Sequence, residues 1–443
     1  MELSRKGFIG GTLAALAAGG CAAEKAADGK KKVEIQGLNE GFEGALSNKP
    51  WQPFSDAKVR VGIAGEGVCS FGSAFGFQNH PNVKVVACAE LDGTKLKTLQ
   101  ERVGAEKAYK SCEDMIAHAA EDKLDAVYIA TDAASHASLS IMALEHGLHV
   151  ACAVPAFLGK EQLELIPKLR DAVRRSGRVY AMNETSAFRG SCYAMRKLYE
   201  AGKLGQIVYT EGEYFHPSGN DIHAKPKYGS YNGWRYGLPP QYYPTHSNGY
   251  YTCVTHKRFV KVVCTGVPSL KDSYVKGNRY GNPYGGEYAA FTAEDGSAAR
   301  MLVSWDVPSY GAEDGRIWGQ KGCFVPEKGG YRGWFDKEVA NMDLVRPRLP
   351  PNMPAGGHGG SHGYLTDDFI RAILLKDHKP CVDVVTALNT TIAGVYAHLS
   401  AMKGGERLEI PNCALAGISE FLPKPITCNF GLHARMQICK LWG

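Results

Sequence analysis

Val59-Arg60-Val61-Gly62-Ile63-Ala64-Gly65-Glu66-Gly67-Val68-Cys69-Ser70 decides the fold. Its first half is short, mostly apolar and bounded by a polar linker and by glycines, the pattern of a buried parallel strand. Its second half is G-x-G-x-x-G with serine in the last place. Gly65 permits the tight turn and Gly67 lets a pyrophosphate come close. The third glycine normally lets the helix pack against the strand, and Ser70 is the smallest polar substitute. Backbone N–H groups at the helix start would hold the phosphates. A second apolar run, Val83 to Ala89, ends in Glu90, 25 positions after Gly65. An acid at that strand end accepts hydrogen bonds from the adenosine ribose and repels a 2′-phosphate, which favours NAD over NADP. Glu90 as a solvated strand end, or Asp92 in its place, are the alternatives.

The alternation continues outward. Asp125 to Ala130 reads as a strand, and Thr131 and Asp132 follow at the sheet edge where ligands bind. Ser135 to His146 reads as a helix, Leu148 to Ala153 as a strand, Glu161 to Arg175 as a helix and Arg178 to Met182 as a strand. Strands alternating with helices predict a doubly wound parallel sheet. Further on, Glu287 to Ala293 and Ala298 to Trp305 predict strands joined at Asp295-Gly296, a hairpin turn. Tyr364 to Leu375 and Val384 to Met402 predict helices, and Arg407 to Ile410 a last strand. Residues 412–443 show no clear pattern.

Composition bounds the rest. The 443 residues are 44% hydrophobic and 22% charged, which excludes a disordered or fibrous chain and suggests two or three domains. A net charge of +6, with no basic run beyond Lys30 to Lys32, gives no reason to expect nucleic acid as a partner. The 13 cysteines contain no C-x-x-C pair, so no zinc ribbon, redox motif or disulfide framework is predicted. Cys69, Cys88, Cys152 and Cys264 lie in or beside apolar runs and read as core filler. Arg5 and Lys6 followed by the weakly apolar Phe8 to Gly20 read as an export signal, too short to span a bilayer. Ser4-Arg5-Lys6-Gly7-Phe8-Ile9 resembles the twin-arginine pattern with lysine for the second arginine. Cys21 is a candidate lipid-attachment site. No transmembrane segment is expected, and the location predicted is periplasmic or lipid-anchored at the cell envelope.

The Gly65–Ser70 turn, Glu90, Ala130-Thr131-Asp132-Ala133-Ala134-Ser135-His136 and Gly147-Leu148-His149-Val150-Ala151-Cys152-Ala153-Val154-Pro155 together resemble the Gfo/Idh/MocA family of sugar-related oxidoreductases. The resemblance runs from about residue 57 to 411. It implies an N-terminal Rossmann domain, then an α/β domain with a large open, mostly antiparallel sheet whose face carries the substrate site. It adds His136 and Pro155 to Gly65, Gly67, Ser70, Glu90 and Thr131 as cofactor-binding residues. The boundaries expected are 1–21 for the signal, 22–56 for a linker, 57–182 for the Rossmann domain, 183–411 for the substrate and oligomerisation domain, and 412–443 for a tail. A homo-oligomer is expected. Where the family has Glu-Lys-Pro, with its lysine near the nicotinamide, this chain has Ala153-Val154-Pro155, and Val154 cannot relay a proton. Glycoside hydrolase family 109, a branch without that lysine, is resembled in more detail: Glu211-Gly212-Glu213-Tyr214-Phe215-His216, Trp234-Arg235, Tyr243-Pro244-Thr245-His246 and Gly356-Gly357-His358-Gly359-Gly360. That branch implies NAD that is recycled: a sugar hydroxyl is oxidised, the glycosidic oxygen eliminated, water added and the hydride returned. Its Glu and its tyrosine are replaced here by Ala153 and Phe188.

Hydride removal from a carbinol needs a base with a pKa near the working pH, for which histidine is suited. His246 lies where the wider family places a catalytic Asp and His four residues apart, a pair that reads His246 and Tyr250 here. Both are taken as catalytic, Tyr250 as a hydrogen-bond donor. Seven tyrosines (228, 231, 236, 242, 243, 250, 251) and Trp234 crowd one Gly- and Pro-broken stretch, suited to lining a sugar site. Trp234, Arg235, Tyr243, His216 and His358 are the predicted substrate contacts. Arg235 is read either as holding a carboxylated or phosphorylated substrate or as pairing with Glu213. His358 and His362 sit in a Gly-rich loop read as closing over the site. No H-E-x-x-H occurs, and no metal site is predicted. Three readings follow: an NAD-dependent oxidoreductase acting on a sugar or glycoside, an NAD-recycling glycoside hydrolase, and a sugar-binding protein that has lost catalysis.

Overall fold

A computed structural model describes residues 49–67, 69–216, 233–307, 312–334 and 344–415. The signal, Cys21, most of the linker, Tyr228, Tyr231 and nearly all of the tail lie outside the described residues.

Six strands form the first sheet: β1 (Val59–Ala64), β2 (Val83–Ala89), β3 (Lys107–Tyr109), β4 (Ala126–Ile129), β5 (His149–Cys152) and β6 (Tyr180–Met182). Their order is β3-β2-β1-β4-β5-β6 and every pairing is parallel, the arrangement of the dinucleotide-binding fold. Helices α1 (Phe71–Ala74), α2 (Gly93–Val103), α3 (His136–Glu145) and α4 (Leu165–Ser176) connect them. Val61, Ile63, Val127 and Val150 are wholly buried, as strands covered on both faces require. Strand β3 was not foreseen, because Lys107 and Ala108 are exposed and leave no apolar run to read.

The second sheet has eight strands: β7 (Ile207–Phe215), β8 (Phe259–Pro268), β9 (Tyr284–Ala293), β10 (Ala298–Ser304), β11 (Ala312–Gly319), β12 (Gly322–Val325), β13 (Gly330–Gly333) and β14 (Leu408–Glu409). Their order is β13-β12-β11-β7-β10-β9-β8-β14, and only β7 with β10 runs parallel. The expected hairpin is present, with Gly296 at φ +83° in the turn. One face carries α5 (Gly190–Glu200), α6 (Thr245–Thr255) and the long α8 (Val384–Met402), while α7 (His362–Leu374) reaches back to the first sheet. Thr366 Oγ1 donates to Phe75 O at 2.8 Å, and Met182 N to Val382 O at 2.9 Å, so the two sheets share helices. The start of the tail has a role that its sequence did not reveal: Cys413 is fully buried and its carbonyl accepts from Arg170 on α4. The ten cysteines described are free thiols. No helix among the described residues is long and apolar enough to cross a membrane.

Candidate functional site

A cavity of about 280 Å³ opens at the carboxyl ends of β1, β2 and β4, lined by Gly65, Gly67, Glu90, Lys95, Thr131 and Trp234 among others. Gly65 sits at φ +91°, and a Cβ there would lie 2.5 Å from Ala130 O, so no other residue lets this turn cross β4. Gly67, at φ +59°, has nothing within 4 Å of the place its Cβ would take. Close approach of the helix depends on Gly72, whose Cβ would lie 2.3 Å from Gly65 O. Ser70, at the motif's last position, is left-handed at φ 53°, its hydroxyl accepts from Arg102, and it lines the inner cavity described below.

Two expectations about this crevice need correction. Helix α1 is a single turn, and Ser73 N donates to the buried Glu66 carboxylate, itself paired with Arg102 at 2.6 Å. The helix start is thus partly filled from within. His136 and Pro155 stand behind the wall instead of lining it. His136 is 1% exposed, with Nδ1 2.8 Å from Pro155 O and Nε2 3.3 Å from Thr131 O, so it staples two loops together. Glu90 does line the crevice, but its carboxylate accepts from Glu66 N (2.8 Å), Gly67 N (3.2 Å) and Leu91 N (2.8 Å) and so shapes the loop as well. Thr131 bonds Ser135 through its hydroxyl.

A second cavity of about 440 Å³ adjoins the first; Cys69, Phe71 and Arg235 line both. His246, near the start of α6, is 3% exposed. Its Nδ1 lies 2.8 Å from Glu184 Oε1, 3.3 Å from Thr185 Oγ1 and 3.5 Å from Glu313 Oε1. The carboxylate partners make Nδ1 the proton carrier, which leaves Nε2 for chemistry. Burial alone would lower the pKa of His246, but Glu184 and Glu313 outweigh it and hold the imidazole above its ordinary value. Glu313 in turn is buried, which opposes its charge, yet Arg189 at 2.8 Å and His246 bring it down to about 2. Glu184, His246 and Glu313 are also the one group among the described residues spaced to hold a metal ion. With Arg189 they already balance two charges against two when His246 is protonated, and no metal is assigned to them.

His358 stacks on His246 with ring centroids 5.9 Å apart and planes 19° apart, and its Nδ1 is 3.0 Å from His362 Nε2. Burial and the neighbouring His246 and Arg189 lower its pKa, although Glu313 opposes them. The loop carrying it is pinned by Arg346, whose Nη1 donates to Phe188 O, Gly359 O and Gly360 O. His216 and Tyr243 complete the wall around Tyr214, whose ring is 4.6 Å from that of His246. Arg235 stacks on Trp234 (4.2 Å) and Tyr243 (5.2 Å), not on Glu213, which faces Arg316 at 3.7 Å.

Tyr250 is corrected as a catalytic group. It is wholly buried, its hydroxyl donates to Glu313 O at 2.6 Å, and it lies outside both cavities. Being four residues after His246 puts it one helical turn along α6, in the core between helix and sheet. Among the described aromatic residues of the tyrosine-rich stretch, Tyr243 and Trp234 reach the cavities, while Tyr236, Tyr242 and Tyr251 spend their hydroxyls on Lys276 O, Lys160 N and Asp295. Glu184, Thr185 and Asn183 were missed, although they follow β6 at the same sheet edge that singled out Thr131. Glu313 and Arg189 carried no local signal.

The two cavities fit a dinucleotide on two grounds. The space above Gly67 is open, and Asn183 is 2% exposed on the inner wall, where neither amide atom makes a hydrogen bond of good geometry. The Tyr128 hydroxyl stands beside it, close enough to interact with the amide. A carboxamide carries the donor and the acceptor that complement such an amide.

Residues 59–184 match the family model for Gfo/Idh/MocA oxidoreductases with an NAD-binding Rossmann fold. A glycosyl hydrolase family 109 protein of Porphyromonas gingivalis is 31% identical over 201 residues, which cover 43% of this chain and 41% of that one. An alpha-N-acetylgalactosaminidase of Bacteroides fragilis is 30% identical over 133 residues, 29% of this chain and 31% of that one. The chain thus spans well under half the length of these relatives. Among solved structures, scyllo-inositol dehydrogenase of Lactobacillus casei with NAD(H) and scyllo-inositol superposes with a TM-score of 0.60 at 17% identity, covering 80% of this chain and 99% of that one. An inositol dehydrogenase homolog of Azotobacter vinelandii with NAD+ gives 0.63 at 18% identity, covering 80% and 97%.

Proposed function

We propose, on the premise that the Rossmann domain belongs to the Gfo/Idh/MocA oxidoreductase family and that the chain is related to glycoside hydrolase family 109, that this protein binds NAD and oxidises a hydroxyl of a sugar or glycoside. The observation that carries the reading is His246, gripped at Nδ1 by Glu184 and facing a cavity continuous with the Gly65–Gly67 crevice. Gly65, Gly67, Glu90 and Thr131 would hold the dinucleotide and Asn183 its carboxamide. Bound there, the coenzyme supplies a hydride acceptor and donor.

The rest of the chemistry falls to the protein. His246 Nε2 takes the hydroxyl proton, and Glu184 and Glu313 stabilise the imidazolium that results. Tyr243 and His216 orient the sugar ring. Phe71, Phe75 and Val154 exclude water from one wall of the cavity. Val154 supplies no proton, so the family's lysine has no substitute at that position.

The second reading, a hydrolase that returns its hydride, is favoured by His358. Elimination of a glycosidic oxygen needs an acid as well as a base, and His246 and His358 are stacked with pKa values displaced in opposite directions. Titration with NAD, followed by assay of sugars and aryl glycosides, separates the readings. Accumulating NADH is expected for the dehydrogenase, and aglycone release without net NADH for the hydrolase. Tight NAD binding with neither product supports the sugar-binding protein, and no NAD binding overturns all three. We further propose export through the Met1–Cys21 segment and self-association through the second domain; cell fractionation and light scattering test these.

A further inference from the structure

The inner cavity has an unusual charge balance for a sugar site. No carboxylate lines it: Glu184 and Glu313 stand behind His246 and are offset by His246 and Arg189. Its polar wall is made of imidazoles, an amide, hydroxyls and one guanidinium, Arg235. That guanidinium is half-buried and held flat against Trp234 and Tyr243. It forms no ion pair among the described residues, and the acid its neighbourhood offered, Glu213, is engaged by Arg316. With no counter-ion among the described residues, a half-buried cation fixed by stacking offers a ligand's anion a charge-assisted partner.

Building on the substrate site proposed above, we infer that the sugar bound there is anionic, its carboxylate or phosphate seated on Arg235 while its hydroxyls face His246 and His216. The planar fork of a guanidinium meets such a group with two parallel hydrogen bonds, which orients the ring as well as holding it. Trp234 and Tyr243 fix the fork beforehand, so little side-chain freedom is lost on binding. The cavity of about 440 Å³ has room for one pyranose.

The test is calorimetry on the full-length protein saturated with NAD. Glucuronate is compared with glucose, galacturonate with galactose, and glucose 6-phosphate and galactose 6-phosphate with both. The anionic member of at least one set is expected to bind about tenfold or more tightly, the gain of one charge-assisted bidentate contact. The carboxylate and phosphate arms show which group the site takes. R235Q is expected to bring the ratio of anionic to neutral affinity close to one, and R235K to retain part of it. Equal or weaker binding of every anionic sugar overturns the inference, as does an unchanged ratio in R235Q. If NAD heat is intact in those cases, the NAD-dependent reading stands and only the anionic substrate falls. Absence of NAD heat overturns both.

Discussion

At the residue scale, His246 decides most. A base must be neutral to act, and Glu184 and Glu313 hold its pKa up, so the acidic limb of the kcat/KM profile is expected above the ordinary imidazole value of about 6.5. E184Q removes one of the two carboxylates and is expected to move that limb to lower pH while lowering kcat/KM by about 10²-fold or more. An unmoved limb would disconnect Glu184 from the base. Stability has a matching dependence. The contribution of His246, whose folded pKa is raised, is complete below its unfolded value and fades as pH rises through the folded one. Glu313, lowered to about 2, contributes above its ordinary value and loses that contribution as pH falls toward 2. Urea unfolding between pH 2 and 9 reads both slopes. His246 was legible because few side chains do this chemistry near neutral pH. Tyr250 misled because a spacing of four suggests a shared face without saying whether that face meets the cavity or the core. Glu313 was illegible, for it lies on a strand whose partner in the site is over a hundred residues away.

At the scale of elements, the Gly65–Ser70 turn and the 356–360 loop behave differently. G65A would drive a methyl into Ala130 O and is expected to abolish folding. G67A meets open space, so its cost is the left-handed backbone alone, about 1–2 kcal/mol. Its melting temperature is expected to fall modestly while NAD affinity falls far more, because the methyl occupies the crevice; equal losses of both would argue against a ligand at Gly67. The second loop depends on Arg346. R346M removes a buried cation whose two Nη1 N–H groups are shared among three carbonyls, each N–H contributing about 1.5–3 kcal/mol, and is expected to lower the melting temperature and raise KM as His358 loses its seat. Thermal melts and steady-state kinetics measure both effects. The first turn was legible, since glycine spacing records where backbones touch. The second loop was legible only as glycines and histidines, because the arginine that fixes it acts through carbonyl groups that every residue possesses.

At the scale of the whole molecule, the helices shared between the sheets mean that filling the crevice should stabilise the entire chain. With NAD at about 100 times its dissociation constant the gain is about 2.7 kcal/mol, expected as a rise of a few degrees in melting temperature that G67A lacks. Scanning calorimetry checks it. Five of the six parallel strands could be read from alternation, whereas the strand order of the eight-stranded sheet could not, since its central strand β7 pairs with segments far along the chain. That placement bears on synthesis. Both neighbours of β7, β10 and β11, are translated some ninety or more residues after it. At about 5–20 residues per second, β7 waits roughly 5–20 s on the ribosome with both hydrogen-bonding edges vacant. A nascent chain arrested there is a target for chaperones and for stray β-pairing, and production of this protein should suffer more from slowed translation between β7 and β11 than from delays anywhere upstream of β7.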